Sequence, residues 1–264
     1  AAVLFVGLAV DVGLGAQQKK SANAASKTRT YYVAADELEW NYAPNETDSM
    51  TGKPYDETAR MFVESGPHRI GRIYRKAIYR EYTDATFTKL KPRTTDWEHI
   101  GLLGPVLRGE VGDTIRVVFK NNATHPHSIH PHGVFYLKNS EGSPYNGGTS
   151  GADKSDDAVP PGGTHTYVWP VPERAGPGPN DPSSLVWLYH SHTDEPKDVN
   201  SGLVGAIVVT ARGKARPDGA PKDVDREFVT LFMIMDENQT WYLDHNINTY
   251  TSDPKGVEKM EAIP

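Results

Sequence analysis

Short stretches of alternating apolar and polar residues, broken by glycine- and proline-bearing turns, run through most of the chain. The clearest lies at 115–120, where Ile115, Val117 and Phe119 alternate with Arg116, Val118 and Lys120. Successive strand residues point to opposite faces, so a period of two predicts a half-buried strand. Residues 30–35 (TYYVAA) form another β-rich run, and residues 76–82 (KAIYREY) offer partial faces through Ala77, Tyr79 and Tyr82. Residues 103–108 lead into Gly109-Glu110-Val111-Gly112-Asp113, a turn signal, and Pro160-Pro161-Gly162-Gly163 is a second. After that turn Thr164, Thr166 and Val168 oppose His165, Tyr167 and Trp169, and residues 185–192 and 203–210 are further apolar or alternating runs. No long amphipathic helix and no short repeat interrupts this pattern. It predicts an all-β sandwich or barrel.

The two ends read differently. Residues 1–16 (AAVLFVGLAVDVGLGA) resemble the apolar heart of a secretory signal, with a buried core strand as the alternative, and Asp11 makes the run a poor membrane span. Residues 17–29 are polar and rich in Ser, Ala and Lys, as a linker would be. Residues 213–225 carry Pro, Gly and charge and predict an interdomain linker. Residues 227–236 (EFVTLFMIMD) then predict a new strand. The expected location is secreted, extracellular or periplasmic.

Composition narrows the chemistry. With no cysteine among 264 residues there is no thiolate nucleophile, no iron–sulfur or Cys-rich zinc site and no disulfide. The 28 Lys+Arg against 34 Asp+Glu, with no basic run, argue against nucleic acid as partner. The sequons at Asn45, Asn122 and Asn238 matter only in a eukaryotic secretory host.

Candidate chemistry lies in histidine placement. Seven of the ten histidines fall between 125 and 192, and four form two pairs, His130-Pro131-His132 and His190-Ser191-His192. On a strand, residues i and i+2 share a side at about 6.5–7 Å backbone separation, so paired imidazoles reach two ions or two sides of one cluster. Pro131 cannot donate to a ladder, which puts the first pair at a strand edge or end. Gly133 admits close approach by a backbone or a ligand. Imidazoles without thiolate suit copper, zinc, iron or nickel. A mononuclear zinc or iron site ranks last, because no suitably spaced carboxylate stands beside either pair in sequence. Surface or core roles are expected for His68, His99, His125, His127, His165 and His245.

These residues resemble the multicopper oxidase family. His130-Pro131-His132-Gly133-Val134-Phe135-Tyr136 and Tyr189-His190-Ser191-His192 are similar to its two N-terminal copper motifs, in the ceruloplasmin and hephaestin branch. The resemblance extends through Tyr79-Arg80-Glu81-Tyr82-Thr83, Trp97-Glu98-His99-Ile100-Gly101 and Leu103-Gly104-Pro105-Val106. It continues in Asp157-Ala158-Val159-Pro160-Pro161-Gly162, Asp194-Glu195-Pro196-Lys197-Asp198 and Asp225-Arg226-Glu227-Phe228.

The resemblance implies a Greek-key β-sandwich of cupredoxin type. It implies His130 as a type 2 copper ligand and His132, His190 and His192 as ligands of the paired type 3 coppers. The implied reaction couples one-electron oxidation of a reductant, ferrous iron in this branch, to reduction of dioxygen to water. The family's type 1 copper needs a His-Cys-His segment, which a chain without cysteine does not hold. The expectation is therefore half of a trinuclear site, completed by a C-terminal cupredoxin domain in cis or by another subunit. The organisation that follows is a signal-like segment and linker at 1–29 and a cupredoxin domain at 30–212. A linker at 213–225 and the opening of an incomplete second domain at 226–264 complete it.

A second site is suggested by Lys138, Glu141, Asp153, Asp156 and Asp157. Carboxylates with a backbone carbonyl are hard ligands suited to calcium. The resemblance gives Lys138 the role of the carbonyl donor and the four acids the rest. The alternative overall function is a non-enzymatic calcium- or copper-binding cupredoxin module acting through a protein partner.

Overall fold

The structure, a computed structural model, describes residues 26–257, so the signal-like run at 1–16 lies outside the described residues. Eight strands form two four-stranded sheets. The first has the order β2 (Ile73–Tyr82), β1 (Thr28–Asn41), β4 (Thr114–Asn121), β6 (Thr164–Pro170). The second runs β3 (Leu107–Glu110), β8 (Val204–Thr210), β7 (Ser184–His190), β5 (His130–Pro131). Both sheets are mixed: β1 is parallel to β4 and β3 to β8, while the remaining pairs are antiparallel.

The alternation at 115–120 is realised. Ile115, Val117 and Phe119 are fully buried, and Arg116, Val118 and Lys120 are half-buried. β8, between two neighbours, is buried at every position. β1 starts at Thr28, before the expected run, because Thr28 and Arg29 pair with Thr114 and Ile115 and Arg29 meets Asp113 at 2.6 Å.

The core between the sheets is aromatic. Trp169, Tyr79, Tyr167, Tyr189 and Phe119 are fully buried, and the Tyr79 and Tyr189 rings meet across the sheets at 5.3 Å between centroids. Buried tyrosine and tryptophan must place their polar tips against an acceptor. Tyr79 donates to Ser128 O at 2.5 Å, Tyr167 to Asp156 O at 2.8 Å, Tyr189 to Pro105 O at 2.7 Å and Trp169 Nε1 to Ser140 O at 2.8 Å. Each bond pins a loop to the core.

Three short helices decorate the sandwich: α1 (Glu57–Val63), α2 (Glu195–Ser201) and α3 (Leu243–Tyr250). Among the described residues no helix is long and apolar enough to cross a membrane. The run at 227–236 departs from the expected strand. It has no ladder partner among the described residues, and isolated extended backbone does not make a sheet. It lies along the domain instead, with Val229 and Leu231 packed on Ile100, Leu103 and Val204. The 213–225 stretch also packs closely: Ala215 and Ala220 are buried, and Gly219 O accepts from Thr210.

Residues beyond 225 are tied down by polar bonds. The fully buried Lys76 ammonium donates to Glu237 and to Asn200 O, each at 2.6 Å, and Tyr42 adds a bond to the same carboxylate. Removing one member of a buried ion pair leaves the other charge uncompensated. Glu237→Ala is expected to cost about 3 kcal/mol in urea unfolding. Adding Lys76→Met to that variant should restore most of the loss. A cost under about 1 kcal/mol would show that the tie does not hold the segment.

Candidate metal centre

The two histidine pairs meet at the edge of the second sheet. β5 is only two residues long, as Pro131 dictates, and its register sets His130 directly opposite His190 of β7. The next residues extend the pairing: His132 N donates to Leu188 O at 2.9 Å, and His192 N to Ser128 Oγ at 3.0 Å. The imidazoles therefore converge. His130 lies 5.2 Å from His132, 5.6 Å from His190 and 5.2 Å from His192 between ring centroids. His132–His190 and His190–His192 are stacked at 5.2 and 5.5 Å.

Hydrogen bonds to the far nitrogens orient the rings. His130 Nδ1 donates to Glu141 O at 2.6 Å and His190 Nδ1 to Ser191 O at 3.0 Å, which leaves both Nε2 atoms as lone-pair donors. His132 Nε2 then carries the proton it shares with His190 Nε2 at 3.0 Å. Two imidazole nitrogens bound to one ion at about 2.0 Å stand about 3 Å apart at a right angle, so a metal can replace that proton. Among the described residues no three His, Asp or Glu side chains are arranged to hold one ion. The donor set fits a metal by pairs.

Burial favours the neutral form of three of these imidazoles, the form that binds metal. It pushes His130 down to about 4, and it also lowers His132 and His190, with repulsion between neighbouring rings adding to the effect. One expectation fails here. A carboxylate does stand beside a pair: Glu195, the first residue of α2, lies 3.2 Å from His192 Nε2, because the helix turns back under the strand end. Gly133 also differs in its use. Its φ of +78° suits glycine, and what approaches is a side chain: a Cβ there would run into the Trp187 indole, which β7 sends beneath the histidine turn.

The acidic group lies alongside. Lys138 Nζ sits 3.3 Å from Glu141 Oε2 and 2.8 Å from Asp157 Oδ1 and donates to Ser143 O at 3.1 Å. Asp156 is fully buried, with Oδ2 accepting from Gly142 N at 2.7 Å and Oδ1 lacking a partner; burial raises its pKa. Asp153 stands exposed on the turn Gly151–Lys154. The other four residues gather, and the Lys138 ammonium takes the place of a cation among them. Glu141 joins both sites, through its carbonyl to His130 and its carboxylate to Lys138.

The remaining histidines have ordinary partners. His165 Nε2 donates to Asn139 O, His99 meets Asp96 O, His68 pairs with Asp253, His245 packs on Tyr250 and His125 stacks on Trp241. His127 is buried against Asp198.

A family model described as Multicopper oxidase matches residues 82–214, just over half of the chain and both histidine pairs. The chain belongs to the multicopper oxidase family. It is 51% identical over 239 residues to Ferroxidase HEPHL1 of Homo sapiens, covering 89% of this chain and 20% of that protein. It is 47% identical over 240 residues to Hephaestin of Mus musculus, with coverages of 89% and 20%. Against Ceruloplasmin of Mus musculus the identity is 44% over 236 residues, with coverages of 88% and 22%. The chain thus spans about a fifth of the length of these curated relatives. Among solved structures, a multi-copper oxidase from Pseudomonas Thermotolerans aligns with a TM-score of 0.42 and 20% identity, over 72% of this chain and 31% of that one.

For this multicopper oxidase chain, the lowered histidine pKa values fix a pH dependence in the metal-free state. Unfolded histidine binds its proton near pH 6.5, whereas folded His130 binds it only near pH 4. Between those values the unfolded state holds more protons, so stability falls as pH drops from about 6.5 to about 4. Thermal melting across that window should show the fall, and His130→Gln should flatten it. An unchanged slope in that variant would contradict the assignment.

Proposed function

We propose that this chain is the copper-binding N-terminal cupredoxin part of a multicopper oxidase that couples one-electron oxidation of a reductant, ferrous iron, to reduction of dioxygen to water. The observation that carries this reading is the register that sets His130 opposite His190, with five of the six imidazole pairs at 5.2–5.6 Å between ring centroids. His130 would hold the type 2 copper, and His132, His190 and His192 would hold type 3 copper. Clustered copper supplies one-electron redox steps that add up to a multi-electron reduction of dioxygen. The chain's own part is to present neutral imidazoles, to fix their tautomers through Glu141 O and Ser191 O, and to hold the two pairs at one spacing. With no cysteine it contributes no type 1 copper of the His-Cys-His kind, so electrons enter elsewhere. A C-terminal cupredoxin domain in cis, or another subunit, completes the cluster. Residues 226–264 are read as the opening of a second cupredoxin domain, and the apolar N-terminal run supports secretion.

Calcium is the reading for the acidic group. Lys138 carbonyl, Glu141, Asp156 and Asp157 would bind it once the Lys138 ammonium is displaced and the carboxylates rearrange, and Asp153, exposed on its turn, would swing in. What supports it is the buried Asp156 Oδ1, an acceptor without a donor. A buried polar atom in that condition costs about 1–3 kcal/mol.

Copper titration of the purified chain tests the main reading. The chain should bind copper, and His130→Ala/His190→Ala should weaken binding by roughly a hundredfold or more, since even outer partners of a ligand are worth 10–100-fold. No binding, or binding unchanged in that variant, would favour a non-enzymatic module acting through a protein partner. For calcium, saturating ion should raise the melting temperature, by about 2.7 kcal/mol of stabilisation at a hundredfold excess over Kd. Asp156→Asn should abolish the rise.

A further inference from the structure

Behind the histidines lies a buried carboxylate for which the metal chemistry has no direct use. Asp198, in α2, is fully buried and accepts four hydrogen bonds. Oδ2 takes Ser191 Oγ–H at 2.6 Å and Asp194 N–H at 3.1 Å; Oδ1 takes Trp241 Nε1–H at 2.8 Å and His127 Nδ1–H at 3.0 Å. A carboxylate has about four lone-pair sites, and here all are filled. Burying a charge is costly unless its bonds are complete, so such a group holds its donors to one geometry.

The donors come from separate places. Ser191 is the residue between His190 and His192, and its Oγ also accepts from Ser128 N at 3.0 Å. Ser128 Oγ in turn receives His192 N at 3.0 Å and donates to Gly142 O at 2.6 Å, beside the His130 anchor Glu141. His127 lies three residues before His130. Trp241 belongs to the C-terminal segment, stacks on His125 at 4.3 Å and carries the Lys197 ammonium over its ring at 4.3 Å from the centroid.

We propose that Asp198 is a positioning residue for the four-histidine site: it clamps Ser191 to His127 and to Trp241, so that docking of the C-terminal segment sets the spacing between the two histidine pairs. This rests on the reading of those histidines as copper ligands. Asp198 touches no histidine of the four. It acts through Ser191 and Ser128, the hydroxyls that join the two loops, and Trp241 makes the site sensitive to a segment that contributes no ligand.

The test uses the full chain, Cu(I) in competition with a chromophoric chelator, and imidazole ring resonances from NMR. Asp198→Asn keeps the shape but offers one acceptor oxygen in place of two. It should weaken Cu(I) binding by about 10–100-fold, the range for partners one step behind a ligand. Trp241→Phe keeps the aromatic packing and removes one donor. It should weaken binding several-fold and shift the His190 and His192 resonances. Because the two act through one carboxylate, their losses should not add in the double variant. If Asp198→Asn does not fold, Trp241→Phe and Ser191→Ala decide the question by the same two readouts. A role in stability alone would lower the melting temperature while leaving affinity within about twofold and the ring resonances unmoved; that result overturns the proposal. Failure of the wild-type chain to bind copper would overturn the copper reading instead, and the ring resonances of the Trp241→Phe chain would still report the clamp.

Discussion

Every polar tip in the aromatic core has to find an acceptor, and that requirement places the loops. Tyr79, Tyr167, Tyr189 and Trp169 fill the space between the sheets, and their O–H and N–H groups end at Ser128, Asp156, Pro105 and Ser140. Tyr167 also accepts from Ile129 N at 3.2 Å. A buried donor left without a partner costs about 1–3 kcal/mol. Residues 128–143 have almost no ladder bonds of their own, since β5 is two residues long. The core therefore holds the first histidine pair by its neighbours: Ser128 and Ile129 on one side, Ser140 on the other. The aromatic packing that stabilises the sandwich and the geometry of the metal centre have one cause.

On that frame the edge position of β5 does the rest. An edge strand gives its outer side to solvent or to a partner, so imidazoles there can bind something the domain does not contain. The rings pack on one another, and the far nitrogens of His130 and His190 are committed to carbonyls. Burial, with repulsion from the neighbouring rings, disfavours protonation of His130, His132 and His190. The His132 and His190 nitrogens, 3.0 Å apart, are spaced for one ion between them.

Much of this could be read in the chain beforehand, for definite reasons. Period two at Ile115, Val117 and Phe119 marks β4 because one face is buried and the other is not. His-x-His pairs mark the imidazole cluster because strand geometry puts i and i+2 on one side, and Pro131 marks the edge because it lacks a donor. What escaped depends on long-range approach. Nothing near Gly133 names Trp187, 54 positions on, as the ring that fills its missing Cβ. Glu195 reaches His192 only because a helix begins there. Asp198 looks like one more helix carboxylate until Ser191, His127 and Trp241 are seen around it. The ammonium of Lys138 sits among the acids, although the residue entered the argument for its carbonyl. Residues 227–236 carry a strand's pattern without a strand's partner, and a pattern cannot supply one.

That last segment shows how the two kinds of contact divide their work. The segment at residues 227–242 is tied to the domain by directional polar bonds, Glu227 to Arg108 through two bonds of 2.9 Å, Glu237 to Lys76, Trp241 to Asp198 and Tyr242 to Glu37 at 2.9 Å, and by apolar packing of Val229, Leu231, Trp241 and Tyr242. Its apolar side chains largely face outward, with Phe228, Phe232 and Ile234 exposed by 67%, 93% and 90%. Hydrogen bonds of this sort fix orientation and contribute modestly to affinity, whereas apolar burial supplies strength without direction. If the clamp at Asp198 links that orientation to the histidines, the way this segment lies on the domain bears on the spacing of the two pairs.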